Sequence, residues 1–218
     1  MLFRSTDADT IKKWFNLVNA DLFIDNSELF RLYPEVPLVA SKTNTEIMFR
    51  NNVRIVSNPN CVAAMIARVL YPLNKRYPIN KAIITTYQSI SGLGQKALEA
   101  YQSERDDEIY LDGKISNRFV YKKENIRLYD NIVPYVGVEN ENNITYEEEK
   151  IELELEKILN GVEITTMCAR VPVKHGHSAY VHLTFKDMID FNRIKAFIEN
   201  IECVKTPNRS EEHTSELQ

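Results

Sequence analysis

Apolar and polar residues follow two different rhythms along this chain. Residues 7–18 (DADTIKKWFNLV) set Ile11, Trp14, Phe15 and Val18 at helical spacing. The short apolar runs DLFIDN (21–26), VPLVAS (36–41) and VRIVSN (53–58) end in turn formers and predict buried strands. Strands separated by helices or short loops predict a mostly parallel sheet. CVAAMIARVLYPL (61–73) is apolar almost all round, which predicts a buried helix, and KAIITTYQ (81–88) predicts another strand. Residues 103–130 are polar and irregular, and predict an excursion that wraps a neighbour or covers a site. TYEEEKIELELEKIL (145–159) opens with a capping box, Thr145 to Glu148, and sets Ile151, Leu155 and Ile158 on one helix face. VEITTMCARVPV (162–173) and SAYVHLTF (178–185) are β-rich and meet at the turn Lys174-His175-Gly176. MIDFNRIKAFIEN (188–200) predicts a final helix. The second half therefore reads as α+β with a mixed or antiparallel sheet, unlike the first.

Composition narrows the class. The chain has 218 residues, 44% hydrophobic and 27% charged, enough to bury a core and too apolar for a disordered chain. A formal net charge of -4 gives no electrostatic footprint for nucleic acid or an anionic membrane. No apolar run approaches the ~20 residues of a membrane span, and MLFRSTDADTIKKW lacks the apolar stretch of a secretory signal. Cys61, Cys168 and Cys203 are odd in number, with no zinc spacing and no disulfide framework. Free thiols in a cytoplasmic protein are the expectation, with no metal site.

Two clusters carry candidate chemistry. In SNPNC (57–61), Pro59 stiffens the turn and Asn60 is a natural helix cap, which puts Cys61 at a helix N-terminus. There the helix dipole and unpaired backbone N–H groups would depress the thiol pKa and hold a developing oxyanion. Cys61 is accordingly expected to alkylate faster than Cys168 or Cys203. The competing reading is a buried, inert cysteine. In RVPVKHGHSA (170–179), two histidines flank a turn glycine, and a neutral imidazole there can take or give a proton. Solvated surface histidines are the alternative. TYQSISGLG (86–94) is a strand end, a glycine-bearing turn and a helix, a form that lets a phosphate or ring approach the backbone. Glu147 and Lys150 lie i, i+3 on one helix face, by themselves an ordinary surface ion pair.

Together these segments resemble the aspartate-semialdehyde dehydrogenases. The resemblance rests on IDNSELFRLYPEVPLVASKTN, SNPNCVAAM, TTYQSISGLGQKALEAY, DNIVPYVG, TYEEEK and CARVPVKHGHS, in that order, from about residue 3 to about residue 200. It implies an α/β fold: part of a Rossmann-type NADP-binding domain over residues 1–60, then an α+β catalytic and dimerisation domain over 61–205, like that of glyceraldehyde-3-phosphate dehydrogenase. It implies a homodimer and NADPH-dependent reduction of L-4-aspartyl phosphate to L-aspartate 4-semialdehyde, toward lysine (through diaminopimelate), threonine and methionine. Cys61 would attack the acyl phosphate to form a thioester, with His177 as acid/base and Gln88 as the active-site glutamine. Arg170 would grip the substrate carboxylate and Glu147 its ammonium. Arg31 and Lys150 would bind phosphate, with Asn60 nearby, and Ser91 and Gly92 would touch the nicotinamide cofactor.

The sequence also departs from that family. No GxxGxxG is present, and the chain starts near a later strand, here LFRST, so truncation is expected, as is weak or absent NADPH binding. RSEEHTSELQ (209–218) does not resemble the family and reads like the in-frame translation of a sequencing adapter, so 206–218 is expected to be a non-native or disordered tail. The alternatives are the related N-acetyl-glutamyl-phosphate reductase, a Cys/His hydrolase without NADPH, and a non-catalytic fragment that only dimerises.

Overall fold

The computed structural model describes residues 2–3, 13, 17–50, 53–106, 119–121, 124–202 and 204–205. The helix expected over 7–18 and the tail 206–218, with Cys203, lie largely or wholly outside them.

Strands β1 (Leu2–Phe3), β2 (Phe23–Asp25) and β3 (Ile55–Ser57) form a three-stranded sheet, parallel throughout. This is the parallel unit expected of the first sixty residues. The expected strand over 36–41 is reduced to one bridge, Leu38 against Ser57. Pro37 has no N–H to donate, and Asn44 turns the chain away: its Oδ1 accepts the Ala40 N–H and its Nδ2 donates to the Leu38 carbonyl.

Helix α1 (Cys61–Arg76) follows β3 directly, capped by Asn60, whose Oδ1 accepts the Val62 N–H at 2.8 Å. It runs past the expected end at Leu73 because Asn74 ties its last turn down, donating to the Leu159 carbonyl and accepting the Ile79 N–H. Then come β4 (Ile79–Gln88), a 3-10 turn (Ile90–Leu93) and helix α2 (Gln95–Arg105). A small antiparallel hairpin, β5 (Phe119–Tyr121) with β6 (Glu124–Ile126), lies in the polar stretch. The end of that stretch is anchored to α2. The carboxylate of Glu104, 1% exposed, accepts the N–H groups of Leu128 and Tyr129.

Helix α3 (Tyr146–Leu159) opens on the expected capping box, with both reciprocal Thr145–Glu148 bonds formed. It leads into β7 (Glu163–Arg170), β8 (Ser178–Phe185) and helix α4 (Phe191–Glu199). In the second sheet β4 is central, parallel to β7 and antiparallel to β8, so the sheet is mixed as expected. Its inner face packs on α1 and α3 through Ile66, Leu70, Ile84, Ile151, Leu155 and Ile164. Its outer face leaves Met167 64% and Tyr180 76% exposed. Among the described residues no helix is long and apolar enough to cross a membrane.

The β4 register fixes the site. Gln88 pairs with Arg170 across the parallel ladder, so both strands end together beside the turn before β8. Leu155 is fully buried between α1 and the sheet, and Leu155→Ala is expected to cost about 2–5 kcal/mol from transfer and cavity terms. Leu153→Ala on the solvent side of the same helix, 40% exposed, should cost well under half of that. Urea denaturation of the two variants checks the difference.

Candidate functional site

Cys61 is the first residue of α1, and His177 follows Gly176, whose φ of 89° the turn into β8 requires. Although 116 residues apart in sequence, they meet, with Sγ 3.6 Å from Nε2. The Ser89 backbone N–H donates to His177 Nδ1 at 3.0 Å. An N–H can only donate, so neutral His177 carries its ring proton on Nε2, aimed at the sulfur. The Ser89 hydroxyl lies 3.3 Å from the same Nδ1.

Arg170 ends β7, 5% exposed, and its guanidinium donates to the Ser89 carbonyl at 2.7 Å. Ser89 therefore holds His177 and Arg170 together. Gln88, 2% exposed, directs Nε2 at Glu147 Oε1 over 3.3 Å, and Asn60 Nδ2 reaches the same oxygen at 3.1 Å. The other oxygen of Glu147 pairs with Lys150 at 3.4 Å, and Lys150 also reaches Glu28 at 3.1 Å. With side chains 14% and 21% exposed, Glu147 and Lys150 are not the ordinary surface pair their spacing alone suggests. Burial works against the Lys150 charge, but Glu147 and Glu28 outweigh it and hold its pKa above the usual value.

Gly92 sits over this group. A Cβ there would come within 3.0 Å of the Arg170 guanidinium and 3.2 Å of His177 Cε1. A side chain at Gly92 would therefore crowd both Arg170 and His177. Ser91 is fixed by its N–H to the Lys174 carbonyl and by its hydroxyl, 3.1 Å from that of Ser89.

The expected depression of the Cys61 pKa is reversed. Although Cys61 is exposed, the loss of water around its sulfur pushes the pKa up and the negative charge of Glu147 adds to this, over the opposing N–H groups of Val62 and Cys61 and the charge of Arg170. The N–H groups at the helix N-terminus do favour the thiolate, but they are outweighed by the loss of water around the sulfur and by Glu147. His177 is pushed the other way: burial and Arg170 lower its pKa against Glu147. Both shifts favour a thiol beside a neutral imidazole over a thiolate–imidazolium pair.

Every residue singled out from sequence falls into one connected group except Arg31, which joins through a residue that the sequence reading missed. Arg31 donates from Nε to the Ser27 carbonyl and pairs with Glu154 at 3.0 Å. Glu154, 1% exposed, accepts the Asn60 N–H on its other oxygen at 2.5 Å. The available signal was its spacing, an acid four residues after Lys150 on the face that carries Glu147. Ser89 was missed too, and only its place after Gln88 marked it.

Comparison with known proteins gives the family. Residues 70–213 match the family model described as "Semialdehyde dehydrogenase, dimerisation domain". The chain belongs to this family. It is 33% identical to aspartate-semialdehyde dehydrogenase of Rickettsia bellii, over 93% of this chain and 60% of the relative. It is 32% identical to the enzyme of that name from Synechocystis, over 94% of this chain and 60% of the relative. The crystal structure of aspartate semialdehyde dehydrogenase II from Vibrio cholerae, complexed with ASA, superposes with a TM-score of 0.78 at 28% identity, covering 94% of this chain and 60% of that one. The chain thus spans about three fifths of the length of these relatives. The fold class is α/β, with the Rossmann-type parallel sheet followed by the mixed sheet of the dimerisation domain.

Two consequences are measurable by iodoacetamide labelling with mass spectrometry of each site. Cys61 is exposed whereas Cys168 is buried with a pKa pushed up to about 12, so Cys61 should label faster despite its own raised pKa. Glu147→Gln removes a charge that raises the Cys61 pKa, so its labelling profile should move to lower pH, and Arg170→Gln should move it to higher pH.

Proposed function

We propose that this chain is the catalytic part of an NADPH-dependent aspartate-semialdehyde dehydrogenase, reducing L-4-aspartyl phosphate to L-aspartate 4-semialdehyde and phosphate. The observation that carries this reading is the Cys61–His177 contact, set between a buried arginine and a partly buried glutamate. A free amino acid presents a carboxylate and an ammonium at fixed separation, and Arg170 with Glu147 offers the complementary pair. Relatives bearing this enzyme name, and the Vibrio cholerae structure complexed with ASA, support the same choice. An N-acetylated substrate has no ammonium for Glu147, which weighs against an N-acetyl-glutamyl-phosphate reductase.

In this reading the Cys61 proton passes to the departing phosphate as the sulfur attacks the acyl carbon, and Nε2–H of His177 hydrogen-bonds the sulfur and then the carbonyl oxygen as charge develops there. Phosphate leaves toward Arg31 and Lys150, and a thioester remains on Cys61. Ser91 and Gly92 would meet the nicotinamide of NADPH, which would supply the hydride. Collapse of the reduced adduct returns the sulfur to Cys61 as a thiolate, again facing Nε2–H. His177 works throughout as a donor, because the Ser89 N–H holds Nδ1 as an acceptor. Gln88 and Asn60 orient Glu147 and the nucleophile.

The outer face of the mixed sheet, with Ile83, Met167 and Tyr180 exposed, suits a second copy of the chain and a homodimer, consistent with the family's description. Free thiols at Cys61 and Cys168 suit the cytoplasm.

The test is NADPH oxidation with aspartyl phosphate, in a form spanning the full length of the relatives. Cys61→Ala should abolish turnover and His177→Ala should slow kcat by ~10²–10⁴-fold. Arg170→Ala should act chiefly on KM for aspartyl phosphate. Turnover by the Cys61→Ala protein would refute the reading.

A further inference from the structure

Resting on that reading, we propose that Glu154 is a positioning residue whose carboxylate spans from the phosphate-binding Arg31 to the backbone of Asn60, fixing the phosphate site in register with the nucleophile. The argument starts from burial. Glu154 is 1% exposed on the inner face of α3, and burial pushes its pKa up. A buried carboxylate is tolerated when both oxygens are matched by charge and hydrogen bonds. Here Oε1 takes the Arg31 guanidinium and Oε2 takes the Asn60 N–H.

The two anchors belong to different parts of the fold. Arg31 is on the loop after β2, and Asn60 caps the helix that begins with Cys61. Each has a second tether: Arg31 to the Ser27 carbonyl, and Asn60 to Val62 and Glu147. Glu154 is the bridge between these two tethered units. The same α3 face sends Lys150 to Glu28, and Lys157 to the carbonyls of Arg31, Tyr33 and Val36. The Arg31 loop is thus strapped to α3 at several points, with Glu154 the one that also bonds the residue before Cys61.

Two side-chain changes separate span from charge. Glutamine keeps the length but offers one acceptor and one donor, so it can serve Asn60 or Arg31, not both. Aspartate keeps the charge but is one methylene shorter and cannot bridge. The readout uses this chain and inorganic phosphate, which should protect Cys61 from iodoacetamide in the wild type, with Arg31→Ala removing the protection. Glu154→Gln and Glu154→Asp should each weaken phosphate protection about tenfold, the usual consequence of losing one charge-assisted hydrogen bond. Labelling of Cys168 reports folding in the same samples: if it rises together with Cys61 in both variants, the role is structural only and the proposal falls. Stronger protection in Glu154→Gln would mean that Glu154 merely neutralises Arg31, and would also overturn it. So would wild-type protection in Glu154→Asp. Failure of phosphate to protect the wild type would instead refute the assignment of Arg31 as a phosphate ligand, and with it the register proposed here.

Discussion

Asn60 is held from three sides, and the geometry of the site depends on that clamp. Its backbone N–H is taken by Glu154, its Oδ1 caps Val62, and its Nδ2 reaches Glu147. Cys61 is the next residue, so the direction of its side chain is set before His177 is reached. Three bonds to one short side chain and its backbone leave little rotational freedom, which keeps Cys61 facing an imidazole contributed by a distant strand turn. Ser89 performs the matching task on the other side, orienting His177 with its N–H and Arg170 with its carbonyl.

Between these anchors two charges oppose each other. Glu147 raises the pKa of both Cys61 and His177, and Arg170 lowers both. For Cys61 the effect of Glu147 is the larger of the two and adds to the loss of water around the sulfur, so the thiol form is favoured.

The strong periodic elements were legible in the sequence because local rules decide them. The capping box at Thr145 and the strand Ser178–Phe185 appear where the pattern puts them. The strand at 36–41 was not legible as a single bridge, because Pro37 and the side-chain bonds of Asn44 compete with the ladder. At the site, residue types gave Cys61 and His177, while their separation of 3.6 Å is a product of the β4 register and the Gly176 turn. The direction of the Cys61 pKa shift was not legible, since the helix N-terminus is locally marked whereas the loss of water around the sulfur and the approach of Glu147 are products of the fold. Glu154 stayed hidden because an acid within a Glu-rich helix is usually solvated, and nothing local marks it as buried.

Acyl transfer to Cys61 is the central claim, and it can be observed on this chain without any reductant. Incubation with L-4-aspartyl phosphate, followed by acid quench and peptide mass spectrometry, should reveal an aspartyl thioester on the Cys61 peptide. The adduct should be labile to hydroxylamine and absent from the Cys61→Ala protein. An adduct on Cys168 instead, or none at all on folded protein with Cys61 still alkylatable, would contradict the account.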